Sequence, residues 1–121
     1  MSNVDVIQRY FAAVNAEDWE ALREVWHPDV VWRAIAARRR SGIDDVMTYY
    51  PRALAPYPVH YDDPVRVIDA GETVTVEIEF TGESDTGKTV RFDAVDIFDF
   101  VDGKIIKFSS WFDIEDLRSQ M

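Results

Sequence analysis

The sequence predicts an α+β fold in which helices pack on one face of a curved sheet. Three observations carry this. Apolar residues recur at helical spacing only in the first half of the chain, as far as Tyr50. From Val59 onward the period changes to two, which is the spacing of strands. Turn signals punctuate that second half: Asp69-Ala70-Gly71-Glu72, Ser84-Asp85-Thr86-Gly87 and Asp102-Gly103.

In order, Val4 to Ala16 reads as a helix, because Ile7, Tyr10, Phe11 and Val14 share one face while Gln8, Arg9 and Asn15 lie elsewhere. Asp18 is a plausible cap for a second helix running to about Trp26, with Leu22, Val25 and Trp26 inward. His27-Pro28-Asp29 breaks it, since Pro28 cannot continue a helix. Val30-Val31-Trp32 is a short strand. Ser41 reads as the cap of a third helix carrying Ile43, Val46, Met47 and Tyr50, which Pro51 ends or kinks. Val59 to Ile68 is a strand with a bulge or edge position at Pro64. Thr73 to Thr81 alternates, with Val74, Val76, Ile78 and Phe80 on one face and Thr75, Glu77 and Glu79 on the other. Arg91 to Val101 is the next strand, and Lys104 to Phe112 the last, with Ile106, Phe108, Ser110 and Phe112 sharing a face. Asp113 caps a short C-terminal helix, Ile114 to Gln120. The whole chain, 1–121, reads as one domain without repeat, linker or low-complexity segment.

Composition narrows the function classes. Hydrophobic residues make up 47% of the chain, too many for a disordered protein. There is no cysteine, so no disulfide and no thiol nucleophile. Two histidines without a spaced carboxylate cluster, and no glycine-rich phosphate loop, lead us to expect no metal and no cofactor. The net charge is −10, and residues 61–121 carry 15 acidic against 6 basic side chains. That balance argues against partnership with nucleic acid or an anionic membrane. No apolar run approaches a membrane span and the N-terminus lacks a signal pattern, so the expected location is cytoplasmic. Arg38-Arg39-Arg40 is the basic exception; such a run is most often a solvated loop, with an anion site as the alternative.

One residue breaks its local pattern. On the strand from Arg91, one face carries Phe92, Ala94, Asp96, Phe98 and Phe100, which is apolar except for Asp96. A lone carboxylate on an apolar face must find a partner or raise its pKa and keep its proton. A neutral carboxyl can donate a hydrogen bond.

The order of elements, Ile7-Gln8-Arg9-Tyr10-Phe11-Ala12-Ala13-Val14-Asn15-Ala16 with Asp18, Arg40-Ser41-Gly42, and Asp102-Gly103-Lys104-Ile105 together resemble the nuclear transport factor 2-like superfamily. Within it the local motifs are most similar to ketosteroid isomerases, and also to SnoaL-like polyketide cyclases. The resemblance spans nearly the whole chain. It implies a cone-like α+β fold: a curved, mostly antiparallel sheet with three N-terminal helices on its concave face around an apolar pocket, often as a homodimer through the open sheet face. It further implies that Tyr10 and Asp96 are the two donors to a substrate oxyanion, Asp96 being held protonated by its apolar site. Tyr50 would support Tyr10 and, with Trp26, Trp32, Phe80 and Ser110, would contact the ligand. The resemblance is broken at the general base. The isomerase position falls on Ala34, or on Arg33 with a one-residue gap, and the cyclase position falls on Ser110.

Two functions follow as expectations. The first is an acid–base enzyme of isomerase, cyclase or lyase type, in which Tyr10 and Asp96 stabilise an enolate-type oxyanion. Its base would be His60, Asp62 or the substrate itself. The second is a non-catalytic binding protein for a small apolar or aromatic molecule, anchored by the same pair. Tyr10, Asp96 and Tyr50 would otherwise form a buried network that serves the fold alone.

Overall fold

A computed structural model describes all of residues 1–121. The elements run α1 (Asn3–Ala16), α2 (Trp19–Arg23), β1 (Trp26–Ala34), β2 (Arg40–Ser41), α3 (Ile43–Met47), α4 (Tyr49–Leu54), β3 (Val59–Asp69), β4 (Thr73–Glu83), β5 (Thr89–Val101), β6 (Lys104–Phe112) and α5 (Ile114–Gln120). The strands form one curved, unclosed sheet in the order β2-β1-β6-β5-β4-β3. All neighbours are antiparallel except β1 and β6, which lie parallel and so make the sheet mixed. The fold is α+β, as the patterning predicts.

The first helix forms because its apolar stripe has somewhere to go. Ile7, Tyr10, Phe11 and Val14 are all buried. Its start is fixed by a capping box: Ser2 Oγ accepts from the Asp5 amide at 3.1 Å, and Asp5 Oδ2 accepts from the Ser2 amide at 3.0 Å. Hydrogen bonding from the Ser2 amide first, and then from its side chain, holds the Asp5 carboxyl below its ordinary pKa. Asp18 caps α2 and Asp113 caps α5 through their side chains, as expected.

The helix and strand counts differ from expectation, each difference with a local cause. The second helix stops at Arg23, and Trp26 already belongs to β1, four residues before Val30-Val31-Trp32 begins. Pro28 is accommodated there because the β1–β6 ladder is irregular between Trp26 and Val31. A two-residue β2 adds a strand, pairing Ser41 with Val31. Ser41 is therefore ladder rather than cap; Gly42 occupies the cap position, and Asp45 Oδ2 reaches back to the Ser41 amide at 3.1 Å. The third helix is split at Thr48, whose amide and hydroxyl both donate to the Asp45 carbonyl. It then resumes as α4 straight through Pro51. That proline sits in the first turn of α4, where its missing N–H has no partner to lose. Five helices result rather than four.

In the sheet, the β5 alternation holds: Asp96, Phe98 and Phe100 are buried and Arg91, Asp93 and Val101 are exposed. Pro64 lies on the edge strand β3 beside a bulge, because Pro64 pairs Ile78 and Arg66 pairs Glu77, leaving Val65 extra. The last strand departs from simple alternation. A register shift at Asp99/Phe100 turns Ile105 fully inward and leaves Ile106 half-buried. No helix is long and apolar enough to cross a membrane.

Candidate functional site

Between the concave sheet face, α1 and α4 lies a cavity of about 150 Å³. Its walls are mostly aromatic and aliphatic. Tyr10 and Val14 come from α1, Trp32 and Ala34 from β1, Tyr49, Tyr50 and Leu54 from α4, and Leu117 from α5. Besides the tyrosine hydroxyls, the polar lining is confined to Asp62, Asp96 and Ser110.

Asp96 stands on β5 directly opposite Ser110 of β6, so one cross-strand pair supplies two of these three polar groups. It is 5% exposed, and its Oδ1 has no hydrogen-bond partner. Burial pushes its pKa up to about 8, the facing Ser110 hydroxyl pulls it back, and the charge of Asp62 raises it again. With its pKa near 8 the carboxyl is protonated at neutral pH, and its Oδ1 stands unpartnered within an apolar wall.

Tyr10 lies in the same wall. Its hydroxyl is 3.0 Å from that of Tyr50, and the Trp32 indole N–H donates to the Tyr50 oxygen at 3.2 Å. The indole N–H is donor-only, so Tyr50 accepts from Trp32 and its own proton or that of Tyr10 closes the remaining link. Burial first, then Tyr50 and Asp96, raises the Tyr10 pKa well above its ordinary value. Burial does the same to Tyr50, against the pull of its two hydrogen bonds. Both phenols remain protonated donors. Packing fixes them further: Tyr10 meets Phe11, Trp26 and Phe98 edge-on.

Of the residues singled out from sequence, Tyr10, Asp96, Trp32, Tyr50, Ser110 and Phe80 line the cavity. Trp26 does not. It is 2% exposed and packs behind Tyr10 and Tyr50, with its indole N–H unpartnered. Its inclusion among ligand contacts is corrected to that of a backing residue. Ala34 faces the cavity, whereas Arg33 lies over the Trp111 ring at 4.7 Å, outside the lining. The three arginines diverge: Arg38 pairs with Asp45 at 2.7 Å, Arg39 is exposed, and Arg40 lies over Trp32 and Tyr49 without entering the lining. His60 is turned away to Glu17, Nε2 to Oε2 at 3.1 Å, and is absent from the lining.

Asp62, named from sequence only among several candidates, is brought into the cavity by the fold. As a residue it is half-buried, since its backbone runs along the sheet edge. Asn15 of α1 clamps that backbone, its Nδ2 donating to the Asp62 carbonyl at 3.0 Å and its Oδ1 accepting from the Asp62 amide at 2.8 Å. Burial raises the Asp62 pKa to about 6, with His60 opposing. Phe92 and Phe112 also line the cavity; their alternation with Asp96 and Ser110 was the available signal. Tyr49, Tyr57 and Leu117 gave no such signal.

The curved sheet is covered by helices over an apolar cavity with few polar groups. The SnoaL-like domain family matches residues 7–108, and the chain belongs to it. No curated protein sequence matches. Solved structures share the fold at low identity. An NTF2-like protein of unknown function from Burkholderia pseudomallei K96243 superposes with a TM-score of 0.91 at 19% identity, over 99% of this chain and 98% of its own. A protein from Jannaschia sp. CCS1, provisionally assigned as a SnoaL-like polyketide cyclase, gives 0.89 at 21% identity over 98% and 90%. A limonene epoxide hydrolase-like enzyme of Mycobacterium tuberculosis gives 0.81 at 19% over 98% and 87%.

Proposed function

We propose that this protein is a cofactor-free acid–base enzyme of the isomerase or cyclase type. Tyr10 and protonated Asp96 donate hydrogen bonds to a carbonyl oxygen of a small apolar or aromatic substrate. Drawing a proton from the carbon beside that carbonyl builds negative charge on the oxygen, and fixed donors in a dry cavity stabilise it without reorganising. The observation that carries this is the buried Asp96 carboxyl, whose Oδ1 has no hydrogen-bond partner, in the wall it shares with Tyr10.

The test is binding of fluorescent phenols of graded acidity, whose phenolates imitate an enolate. Tyr10→Phe and Asp96→Asn are each expected to weaken binding by about 2–4 kcal/mol, the cost of a lost oxyanion donor. Unchanged affinity in both variants would end the proposal. A second function, ligand binding without turnover, is favoured by Ala34 and Ser110, non-basic groups at the two positions where the resembled enzymes carry a carboxylate. The two differ in one result: a binder takes up the phenols but never exchanges a substrate's carbon-bound hydrogen with solvent. We also propose that the protein is a cytoplasmic homodimer joined through the outer sheet face, supported by exposed Val65 and Trp111 there.

A further inference from the structure

We infer that Asp62 is the general base of this cavity, and that the substrate it serves is an uncharged carbonyl compound of about one ring. This rests on the donor role proposed for Tyr10 and Asp96 and extends it to the proton's destination.

The assignment follows from what the lining offers. A base must be unprotonated, basic and within the cavity. The tyrosines are held protonated, a serine hydroxyl is no base unaided, and Asp96 keeps its proton at neutral pH. His60 faces Glu17, and Ala34 has no functional group. Asp62 is what remains. It is a carboxylate whose backbone is pinned by two hydrogen bonds with Asn15, which hold the edge strand against α1 at this residue. Its environment leaves it ionised at pH 7 yet more basic than an ordinary aspartate. Its charge is near enough to Asp96 to help keep that proton on. Two carboxyls in one cavity with separated proton affinities divide the work into base and acid.

The step balances without a co-reactant. The Asp62 carboxylate takes a proton from the carbon next to the carbonyl. The C–H electron pair becomes a carbon–carbon double bond, and the carbonyl π pair moves onto oxygen, where Tyr10 and Asp96 donate to it. Return of the same proton to a different carbon of the conjugated system yields an isomer and restores Asp62.

Size and charge set the substrate class. A cavity of about 150 Å³ matches one that holds benzene. No arginine, lysine or histidine lines it, while two carboxyls do, so a carboxylate-bearing substrate would meet a charge without a counter-charge.

The test uses cyclohex-3-en-1-one, followed by ultraviolet absorbance of its conjugated isomer and by hydrogen exchange in D2O. Wild type is expected to isomerise it. Asp62→Asn should slow this about 10²–10⁴-fold, the range for loss of a general base, while phenol binding persists. The groups facing Asp62 are His60 on its own strand, backed by Glu17, with Tyr10, Tyr49 and Asp96 across the cavity. Wild-type rates should rise with pH through about 6 and fall above about 8. The acid limb should vanish in Asp62→Asn and move in Asp62→Glu, which also carries the test if the amide variant does not fold. A residual rate within threefold of wild type in Asp62→Asn, or an acid limb unmoved in both variants, overturns the assignment. Phenol binding that depends on Tyr10 and Asp96, with no exchange by wild type, also overturns it while sparing the donor role. Phenol binding independent of both donors removes the donor role and the inference together. The charged probe 3-oxocyclohexanecarboxylate should exchange about tenfold more slowly than cyclohexanone, or less; equal rates would overturn the substrate class.

Discussion

Replacing Asp96 by asparagine should make the protein more stable at neutral and alkaline pH, and by an amount that depends on pH. In the unfolded chain Asp96 ionises at its ordinary 3.8, whereas in the folded protein burial holds it protonated to about 8. Above pH 4 the folded state therefore binds more protons than the unfolded state at this site, and stability falls as pH rises. The loss stops once the pH passes about 8, where both states are ionised. Each tenfold step in proton affinity is worth about 1.4 kcal/mol, so at pH 7 the site costs about 4 kcal/mol. Asparagine removes this titration but brings N–H donors into an apolar wall, at about 1–3 kcal/mol if they stay unpaired. That second cost does not vary with pH. Urea denaturation of both proteins from pH 4 to pH 9 separates the two. The stability of Asp96→Asn relative to wild type should climb by about 4 kcal/mol between pH 4 and pH 7 and level off beyond 8. A difference flat in pH would mean that Asp96 ionises normally, and would refute the reasoning.

Other consequences follow from the cavity walls. Tyr50→Phe removes the partner of both Tyr10 and the Trp32 indole, and should cost about 1–3 kcal/mol in thermal denaturation for the buried donors left unpaired. Gly82→Ala should destabilise by about 1–3 kcal/mol and narrow the cavity, because a Cβ there would lie 3.0 Å from the Phe80 ring and 3.3 Å from Tyr57; reduced affinity for the bulkier phenols checks it. For the proposed dimer, light scattering should give twice the chain mass, and Trp111→Glu should shift it toward monomer.

What the sequence made legible was what has a long, regular period. The apolar stripe of α1 and the alternation of β5 each extend over three or more repeats, and Asp96 stood out because it interrupted the second. Short or irregular features were hidden for the opposite reason. A two-residue ladder such as β2 has no period to detect. A register shift hands inward positions to Ile105, against the alternation of its own strand. Pro51 looks like a terminator until its place in the first turn of α4 is known. Asp62 was obscured by its setting: Asp62-Asp63-Pro64 on an edge strand gives no clue to which carboxylate faces inward, and Asn15 read as part of a polar helix face. Only the docking of α1 against β3 shows the two to be partners.

The central claim is a neutral Asp96 in the cavity wall, and its most direct test is a carbon-13 titration of that carboxyl, assigned by its disappearance in Asp96→Asn. A protonated shift at pH 7 with a midpoint near 8 is the result predicted. A midpoint near 4 would show an ionised carboxylate, which cannot donate to an oxyanion, and would contradict the proposed role of the site.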